Sequence, residues 1–396
     1  MAEEQRRKIG SVAYEEVSQE YFEKRGLKRH AGVLALWSLG VAAVISGDFY
    51  GWNAGLAVGG FGGLLIATIL VTIMYYGLCY SIAEMSPALP HTGGAYSFAR
   101  SAMGPWGGFI TGLAENMEYV ITPAVVVSAI GGYMNAIVAD LFNVSGNPWW
   151  NSPPFWWAVF YVVFVWLNIA GIEATMRFTV FINFLALAIL AVFFVSILVS
   201  GKFDPSLWFN IPAGGGDPLP EGGGPFLPFG VSGIFKALPF AIWFYLAIEE
   251  LPLAAEESMD PKRDVPRATI WGMTTLVITG FLTLFLNTGV DGGAKGIGET
   301  VEPLFEGFKA VFPGADIAAI LALIGVAGLV ASFFTIIYAY GRNIYSLSRA
   351  GYFPKWMSIT HGERKTPHVA LILGAVVGYA LAYFLYWLGQ RGGHLA

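Results

Sequence analysis

The sequence places five carboxylates inside long apolar stretches: Asp48, Glu115, Glu118, Glu249 and Glu250. A charged side chain at the centre of a bilayer costs at least about 2.5–3.5 kcal/mol on insertion scales, so such residues usually face a cavity and mark a transport path. A carboxylate accepts hydrogen bonds from an organic cation, or it carries a proton. These positions therefore predict cation recognition or proton movement inside a membrane protein.

Asp48 stands in the middle of the first apolar stretch. Residues 33–44 precede it and residues 54–58 follow it, and Gly47 and Gly51 lie close by. Neighbouring glycines let a helix unwind and expose its backbone groups to a ligand. We expect Asp48 to contact the ammonium group of a substrate. The alternatives are a carboxylate that caps the unwound helix end, or one that pairs with another helix.

A later stretch, residues 106–140, carries Glu115 and Glu118 three residues apart. On a helix this spacing puts both carboxylates on one face. Such a pair is costly in a membrane unless that face lines water or meets a cation. Both residues are therefore candidates for a substrate or coupling pathway. The alternative is a structural pair that the backbone of a broken helix satisfies.

The elements that position these residues are membrane-spanning helices. Hydrophobic residues make up 56% of the chain, charged residues 12%, and the mean hydropathy is +0.60, whereas soluble domains carry about 25% charged residues. The apolar runs reach the length of about 20 residues that crosses a bilayer as a helix. We predict nine spans, at residues 33–58, 61–84, 106–140, 155–172, 179–200, 230–254, 268–290, 316–341 and 367–388.

Lysine and arginine are distributed unevenly between the two sides of these spans. Seventeen fall on the side of the N-terminus and four on the other side. Because positive residues are retained in the cytoplasm, we expect a multi-pass protein of the cytoplasmic (inner) membrane of a bacterium, with its N-terminus inside. The predicted organisation is a cytoplasmic segment at 1–30, a transmembrane transporter domain at 31–390 and a short tail at 391–396.

The sequence lacks the residues that several other functional classes require. The single cysteine, Cys79, excludes an internal disulfide and a CxxC metal motif. The five histidines fall in loops or at span ends, which excludes a histidine relay in mid-membrane. The sequence shows neither a cluster of metal ligands nor a nucleophile–base pair that would indicate an enzyme. We therefore expect no catalytic residue, metal, cofactor or nucleic-acid partner. The expected partners are a small-molecule amine and membrane lipids.

The sixth predicted span is interrupted like the first. Residues 240–252 contain Glu249 and Glu250, with Pro252 close behind. Span one and span six would each begin a set of five spans, and because five is odd the second set would be inverted. Paired broken helices at corresponding positions of inverted repeats indicate a transporter binding site.

Three further stretches carry recognisable motifs. The chain reads Y-S-I-A-E-M-S-P-A-L-P-H-T-G-G-A-Y at 80–96, P-F-G at 228–230 followed by E-E-S-M-D-P-K-R-D-V-P-R-A at 256–268, and R-N-I-Y-S-L-S-R-A-G-Y-F-P at 342–354 followed by K-T-P-H at 365–368. Together with the first span, these resemble the amino acid-polyamine-organocation superfamily of transporters. The resemblance implies an all-α membrane protein with a five-plus-five inverted-repeat (LeuT-like) fold and discontinuous helices 1 and 6.

The first motif departs from the superfamily pattern. Amino-acid members usually carry G-S-G-I-F where this chain has I-S-G-D-F at 45–49. In those members exposed N–H groups of the motif hold the substrate carboxylate, which an aspartate would repel. A substrate with an amine and no carboxylate removes this conflict, and the string I-S-G-D-F-Y-G-W-N resembles the ethanolamine permease branch. The resemblance thus implies a secondary active transporter that imports a small organic cation, ethanolamine in the first place, by alternating access.

The resemblance also implies the substrate-binding residues: Ser46, Gly47, Asp48, Tyr50, Trp243, Tyr245 and Glu249. Trp243 matches a position where an aromatic ring closes over the substrate, and a cation–π contact there is worth roughly 0.5–2 kcal/mol. Ordinary packing or a lipid-facing ring is the alternative for Trp243. Glu249 matches the acidic position of span six, where it would bind substrate, carry a coupling proton or hydrogen-bond to unwound backbone.

Two features do not match the superfamily. Some proton-coupled relatives carry a lysine in span five, whereas residues 178–200 contain no lysine or arginine. The coupling ion, H+ or Na+, therefore stays open. The inverted repeat needs ten spans and nine are predicted, so we expect a chain truncated after the ninth span. The competing interpretations are an amino-acid or polyamine transporter or exchanger of the same superfamily, and a solute sensor or channel on this scaffold.

Overall fold

The structure, a computed structural model, describes residues 7–9, 12–14, 27–142, 148–212, 224–312 and 315–392. Most of the predicted segment 1–30, and residues 393–396 of the predicted tail, lie outside these ranges. A short antiparallel hairpin pairs β1 (Arg7–Ile9) with β2 (Val12–Tyr14) in a register that sets Lys8 opposite Ala13. Everything else that has regular structure in the described ranges is helical.

Twelve α-helices follow the hairpin in the described residues: α1 (Val33–Val44), α2 (Ser46–Phe49), α3 (Ala54–Met85), α4 (Gly94–Leu141), α5 (Pro153–Ala170), α6 (Ile172–Ser200), α7 (Gly230–Ile242), α8 (Pro261–Asn287), α9 (Gly293–Glu299), α10 (Pro303–Val311), α11 (Ala315–Arg349) and α12 (His368–Gly392). Four 3-10 segments connect them: Trp149–Asn151, Pro205–Phe209, Ile248–Glu257 and Lys355–Ser358.

Seven of the helices in the described ranges are long and apolar enough to cross a membrane, namely α3 to α6, α8, α11 and α12. Two shorter apolar helices, Val33–Phe49 and Gly230–Ile242, lie among them. Large apolar side chains such as Ile73, Val162 and Val199 point outward and are exposed. A protein in water would not leave this much apolar surface open, whereas lipid covers it at no cost.

The first apolar stretch is broken where the sequence predicts. Helix α1 gives way to the single turn α2, and Tyr50 then takes an extended conformation. Gly51 follows with a φ of 91°, a value that favours glycine. The chain becomes helical again at Ala54 and turns once more at Gly60, whose φ is 67°. The predicted discontinuity of the first helix is confirmed.

The second break lies in the sixth predicted span. Helix α7 ends at Ile242, and the chain passes through a turn to Ala247, which has a φ of 82°. A left-handed conformation costs a residue other than glycine of order 1–3 kcal/mol and marks stored strain. The 3-10 segment Ile248–Glu257 then carries both glutamates of this span. The predicted discontinuity of helix 6 is confirmed as well.

Two helix bounds differ from the sequence-based prediction in a way that matters for the site. Helix α4 begins at Gly94 and bends at Gly104, so a short piece precedes the predicted span 106–140. Helix α11 continues to Arg349 rather than ending near residue 341. Arg342, which lies just past the predicted span 316–341, is therefore fully buried in the bundle.

The chain just before α1 is joined to the chain just after the second break. The backbone N–H groups of His30 and Ala31 both donate to the Glu257 carbonyl, at 2.8 and 2.9 Å. The Met259 N–H donates to the Ala31 carbonyl at 2.9 Å, and Ala31 forms a parallel bridge with Ser258. The start of α1 and the end of the 3-10 segment Ile248–Glu257 are therefore joined through the main chain.

Candidate functional site

The two broken helices touch where they are interrupted. A Cβ atom built on Gly47 would lie 1.9 Å from the backbone carbonyl oxygen of Trp243, so only a glycine allows this approach. The rings of Tyr50 and Trp243 meet edge to face, with centroids 6.4 Å apart and planes at 85°. Such pairs are favoured by the ring quadrupoles. Gly47, Tyr50 and Trp243 thus belong to one junction.

Asp48 is buried at this junction and is only 2% exposed. The side chains of Thr279 and Thr283, four residues apart on one face of α8, approach its carboxylate. Among the described residues, Asp48 Oδ1 and Thr283 Oγ1 have no partner within hydrogen-bond distance. A buried carboxylate oxygen without a donor is costly. The three side chains present oxygen atoms that an ammonium group, with its three N–H donors, would satisfy.

The backbone next to Asp48 is already engaged. The Ser46 N–H donates to Ser332 Oγ at 3.0 Å, and the Ser332 hydroxyl in turn donates to the Ala42 carbonyl at 2.8 Å. The Asp48 N–H donates to the Ile45 carbonyl at 3.0 Å. The donors at Ser46 and Asp48 are therefore used within the protein.

Tyr245 lies near Asp48, but its hydroxyl has a partner in the protein. Tyr245 Oη and Thr72 Oγ1 are 2.8 Å apart. Since Thr72 donates its own hydroxyl proton to the Thr68 carbonyl at 2.7 Å, Tyr245 must be the donor of the bond to Thr72. The side chain of Tyr245 is fully buried. It thus shapes the surroundings of Asp48 and has no O–H left to donate to a ligand.

Glu249 belongs to a second group of residues. Its carboxyl lies close to the carboxyl of Glu118. Glu249 Oε1 also accepts from the Ala247 N–H at 3.3 Å, which secures the strained turn. Glu115 lies on the same face of α4 as Glu118 and accepts from Asn343 Nδ2 at 3.4 Å. The N–H groups of Ala95 and Tyr96, at the start of α4, point at the same carboxylate.

The buried ion pair of Arg342 and Glu257 lies next to this second group. Arg342 donates from Nε to Glu257 Oε2 at 3.1 Å and from Nη2 to Oε1 at 2.8 Å. Tyr338 donates its hydroxyl to the same carboxylate, and the guanidinium carbon lies 3.6 Å from the centre of the Tyr338 ring. Glu250 is also fully buried here, and neither of its carboxylate oxygens has a partner among the described residues.

The predicted site residues therefore fall into two groups. Ser46, Gly47, Asp48, Tyr50, Trp243 and Tyr245 lie at the junction of the broken helices. Glu115, Glu118 and Glu249 form a separate carboxyl cluster. Within the ranges that the structure covers, no group of three or more His, Cys, Asp or Glu side chains is arranged to hold a metal ion.

Sequence reasoning missed three residues that complete the first group. Thr279 and Thr283 lie one helical turn apart, and this spacing is the only signal that could have drawn attention to them. Ser332 carries no such signal, because a single serine in an apolar helix usually bonds to its own helix. Its role depends on how α11 packs against the first break.

Comparison with known proteins places this geometry in a family. A family model described as amino acid permease matches residues 34–387. An uncharacterised transporter of Rhizobium meliloti (strain 1021) is 29% identical over 361 residues, which covers 91% of this chain and 73% of that protein. The methylthioribose transporter of Bacillus subtilis (strain 168) is 24% identical over 378 residues, which covers 92% of this chain and 76% of that protein.

The fold is shared with solved transporter structures. MhsT in complex with L-phenylalanine is 15% identical, with a TM-score of 0.58, and the match covers 90% of this chain and 80% of that chain. At this identity the likeness shows the fold alone. It confirms the expected five-plus-five inverted-repeat architecture with two discontinuous helices.

Proposed function

Because the chain belongs to the amino acid permease family and is a secondary transporter, we propose that it carries a small organic cation, ethanolamine, into the cell by alternating access. The observation that carries this proposal is the surroundings of Asp48. One oxygen of the buried Asp48 carboxylate, Oδ1, lacks a hydrogen-bond partner among the described residues, and the side chains of Thr279 and Thr283 lie beside this carboxylate. An ammonium group supplies the missing positive charge and a donor for that oxygen together.

The engaged backbone near Asp48 supports a substrate without a carboxylate. In the amino-acid members that the first motif resembles, the N–H groups of the motif hold the substrate carboxylate. Here the Ser46 N–H donates to Ser332 instead, and Asp48 adds a negative charge beside it. A zwitterion would lose a donor and meet repulsion, and like charges in contact cost several kcal/mol.

The aromatic pair at the junction supports a cationic substrate independently. Trp243 is partly buried, and its ring lies against Tyr50 and Gly51 rather than in lipid. An indole face attracts an ammonium by a cation–π contact. Ethanolamine also carries one hydroxyl, which can donate to the unsatisfied Thr283 oxygen. Its small size suits a junction in which backbone and ring are already in contact.

An amino-acid substrate is the second candidate, and the family description favours it. The name of the Bacillus relative shows that this family also includes a carrier of methylthioribose, so an amino-acid substrate does not follow from membership alone. A polyamine would need a second anionic site in line with Asp48. Glu249 does not provide it, because its carboxyl lies beside that of Glu118 and accepts the Ala247 N–H.

The direction of transport rests on the charge distribution. Most lysines and arginines flank the spans on the side of the N-terminus, which supports a cytoplasmic location for that side in a bacterial inner membrane. A membrane potential that is negative inside then draws a monovalent cation inward with about 2.3 kcal/mol per 100 mV. This orientation makes the proposed transport an import.

Binding of radiolabelled ethanolamine to the purified chain tests the proposal. In Asp48→Asn the shape is kept and the charge is removed. A hydrogen bond to a charged group contributes about 1.5–3 kcal/mol, so the Kd should rise roughly 10- to 150-fold. Asp291→Asn, at an exposed loop position, is the matched control and should bind as the wild type does.

Competition and counterflow separate the alternatives. Alanine should compete far less well than ethanolamine; equal competition would mean that Asp48 does not exclude a carboxylate. An unchanged Kd in Asp48→Asn would rule out pairing with the ammonium. Saturable counterflow in liposomes is expected of a carrier, whereas a channel or a sensor would not show it.

A further inference from the structure

A cavity of about 450 Å³ lies at the end of the bundle on the side of the N-terminus, apart from both groups of predicted site residues. It is lined by the chain before α1 at Lys28 and His30, by the turn between α5 and α6 at Gly171, and by the loop before α12 at Glu363 and Arg364. Helices that cross a bilayer end where the hydrocarbon gives way to the lipid head groups. The cavity therefore lies at the level of those head groups.

Positively charged side chains outnumber negative ones around this cavity. Lys28, Arg177 and Arg364 line it, together with the carboxylates of Glu173 and Glu363. Arg177 Nη2 lies 2.6 Å from Glu173 Oε1, so these two side chains neutralise each other. Among the described residues, neither Lys28 nor Arg364 forms an ion pair. Both of these side chains are exposed, and they are therefore accessible to an anion.

The neighbours of these two residues in the chain strengthen the positive charge. Arg29 follows Lys28, and Lys365 follows Arg364. Two adjacent cations from the start of the sequence thus meet two adjacent cations from near its end at one cavity. Basic pockets between membrane helices, on the side where positive residues concentrate, bind the phosphate of lipid head groups. The chemistry of the cavity is therefore that of a phosphate site.

One wall of the cavity continues onto a surface that faces lipid. Ala174 and Arg177 of α6 line the cavity, and Phe181 and Phe184 continue the same helix face at spacings of three or four residues. The rings of Phe181 and Phe184 are 62% and 49% exposed. Trp37 of α1 borders this surface, with its ring 5.7 Å from that of Phe184. An acyl chain attached to a phosphate in the cavity has an apolar path along α6, which a soluble phosphate does not need.

We propose that this cavity binds the head group of an anionic phospholipid. Arg364 contacts two phosphate oxygens with its guanidinium, a geometry that suits arginine, and Lys28 adds a point charge. An acyl chain of the same lipid lies along Phe181 of α6. Under the proposed orientation the lipid comes from the cytoplasmic leaflet, whose surface is negative. The site is separate from the Asp48 junction and does not depend on which substrate is carried.

The position of the site gives the lipid a structural role. Thr366 donates to the Ile169 carbonyl at 3.1 Å, so the loop before α12 is fixed to the end of α5. The segment of Lys28 is instead fixed to the 3-10 segment, because the His30 N–H donates to the Glu257 carbonyl at 2.8 Å. A phosphate held by both sides bridges these two parts of the protein. Since it binds only while they lie together, the lipid stabilises the arrangement that contains the cavity.

Thermal unfolding of the purified chain in detergent, titrated with phosphatidylglycerol, tests the site. The Tm of the wild type should rise with the lipid and give an apparent Kd. The double variant Lys28→Gln/Arg364→Gln should bind roughly 30-fold more weakly, because each cation near a lipid surface contributes a factor of about five. The matched control, Lys262→Gln/Arg263→Gln, removes two exposed cations at the start of α8, outside the cavity. It should keep the Kd of the wild type.

The controls decide between a site and a diffuse attraction. An equal loss of affinity in both double variants would overturn the site, since the lipid would then respond only to surface charge. Phosphatidylcholine with the same acyl chains carries no net charge and should raise the Tm far less. An equal effect of the two lipids would overturn the role of the cations.

Two soluble compounds separate a lipid from a free anion. Inorganic phosphate and glycerol 3-phosphate carry the same chemical group without acyl chains, and neither should raise the Tm at the lipid concentration that saturates the wild type. A rise as large as that with phosphatidylglycerol would assign the cavity to a soluble phosphate compound and overturn the lipid. None of these measurements uses ethanolamine, so a failure of the lipid site is distinct from a failure of the proposed transport function.

Discussion

The α-carbon of Gly47 lies against the main-chain carbonyl of Trp243, so the two broken helices meet backbone to backbone. We expect Gly47→Ala to abolish this contact, because the added Cβ would lie 1.9 Å from the carbonyl oxygen. Forcing a methyl group into a packed site costs typically about 1–3 kcal/mol. The backbone cannot yield here without moving both breaks. Ethanolamine uptake by Gly47→Ala in liposomes should therefore fall at least about tenfold.

A second glycine provides the control for this substitution. A Cβ on Gly77, in the interior of α3, would meet no atom within 4 Å. Gly77→Ala should transport as the wild type does, and it should gain slightly in stability because alanine is the better helix former. Normal uptake by Gly47→Ala at equal protein amounts would show that the junction is looser than the structure indicates.

The indole of Trp243 should contribute to substrate affinity through its face. Trp243→Leu keeps an apolar side chain and removes the ring, so loss of about 0.5–2 kcal/mol of cation–π attraction should raise the Kd for ethanolamine roughly 2- to 30-fold. Trp243→Phe keeps a ring with a weaker cation–π attraction, so its Kd should lie between those of the wild type and Trp243→Leu. Trp166, 64% exposed on α5, offers the control, since Trp166→Leu should leave the Kd unchanged. If Trp243→Leu bound ethanolamine with the same Kd as the wild type, Trp243 would serve only in packing.

Loss of one partner of the buried pair of Arg342 and Glu257 should destabilise the bundle strongly. Arg342→Gln leaves the fully buried Glu257 carboxylate without its partner, which should cost about 3–5 kcal/mol. The apparent melting temperature in detergent should drop sharply. Adding Glu257→Gln should restore part of the loss, because the unpaired carboxylate of this pair is then removed.

The exposed pair of Arg177 and Glu173 gives the contrast. These side chains approach to 2.6 Å but are largely exposed, so Arg177→Gln should cost at most about 1 kcal/mol. A similar loss for both substitutions would mean that Arg342 is hydrated in solution.

The stability of the chain should fall in mild acid through His91. Burial lowers the pKa of this imidazole below its usual value, Glu256 opposes the shift, and Arg349 and Arg100 add to it. The neutral ring accepts the Gly93 N–H at Nδ1, 2.9 Å away. Because the unfolded chain binds this proton more readily, the stabilisation is complete above about pH 6.5 and is lost as the pH falls below it.

Thermal unfolding at several pH values checks this sign. His91→Gln has no titrating group at this position, so its melting temperature should fall less between about pH 7 and pH 5 than that of the wild type. An identical slope in both proteins would assign the acid sensitivity to other groups. A melting temperature of the wild type that rises in acid would contradict the direction of the shift.

The sequence predicts both helix breaks because their causes are local. Glycines around Asp48 and a proline after Glu250 weaken the helix in stretches that are otherwise apolar. Trp243 and the carboxylates inside the spans can also be identified from the sequence, because a tryptophan or a charged residue stands out in an apolar span.

The partners of these residues depend on packing and cannot be read from the sequence. Asp48 faces Thr279 and Thr283 because α8 crosses the first break, and a rotation of about 100° per residue along either helix would turn it elsewhere. The same holds for Glu249, which lies beside Glu118 in a cluster apart from Asp48. Arg342 lies in the bundle only because α11 continues past the predicted end of its span.

The main-chain connection between Ala31 and Ser258 has a mechanical consequence. Three backbone hydrogen bonds tie the start of α1 to the end of the 3-10 segment, so these two pieces cannot part without breaking them. We expect these two pieces to move together, with the unwound turns at Tyr50 and Ala247 as hinges. Because Glu257 lies on one of these pieces and Arg342 lies on α11, any movement of the two pieces away from α11 would have to break the Arg342–Glu257 ion pair.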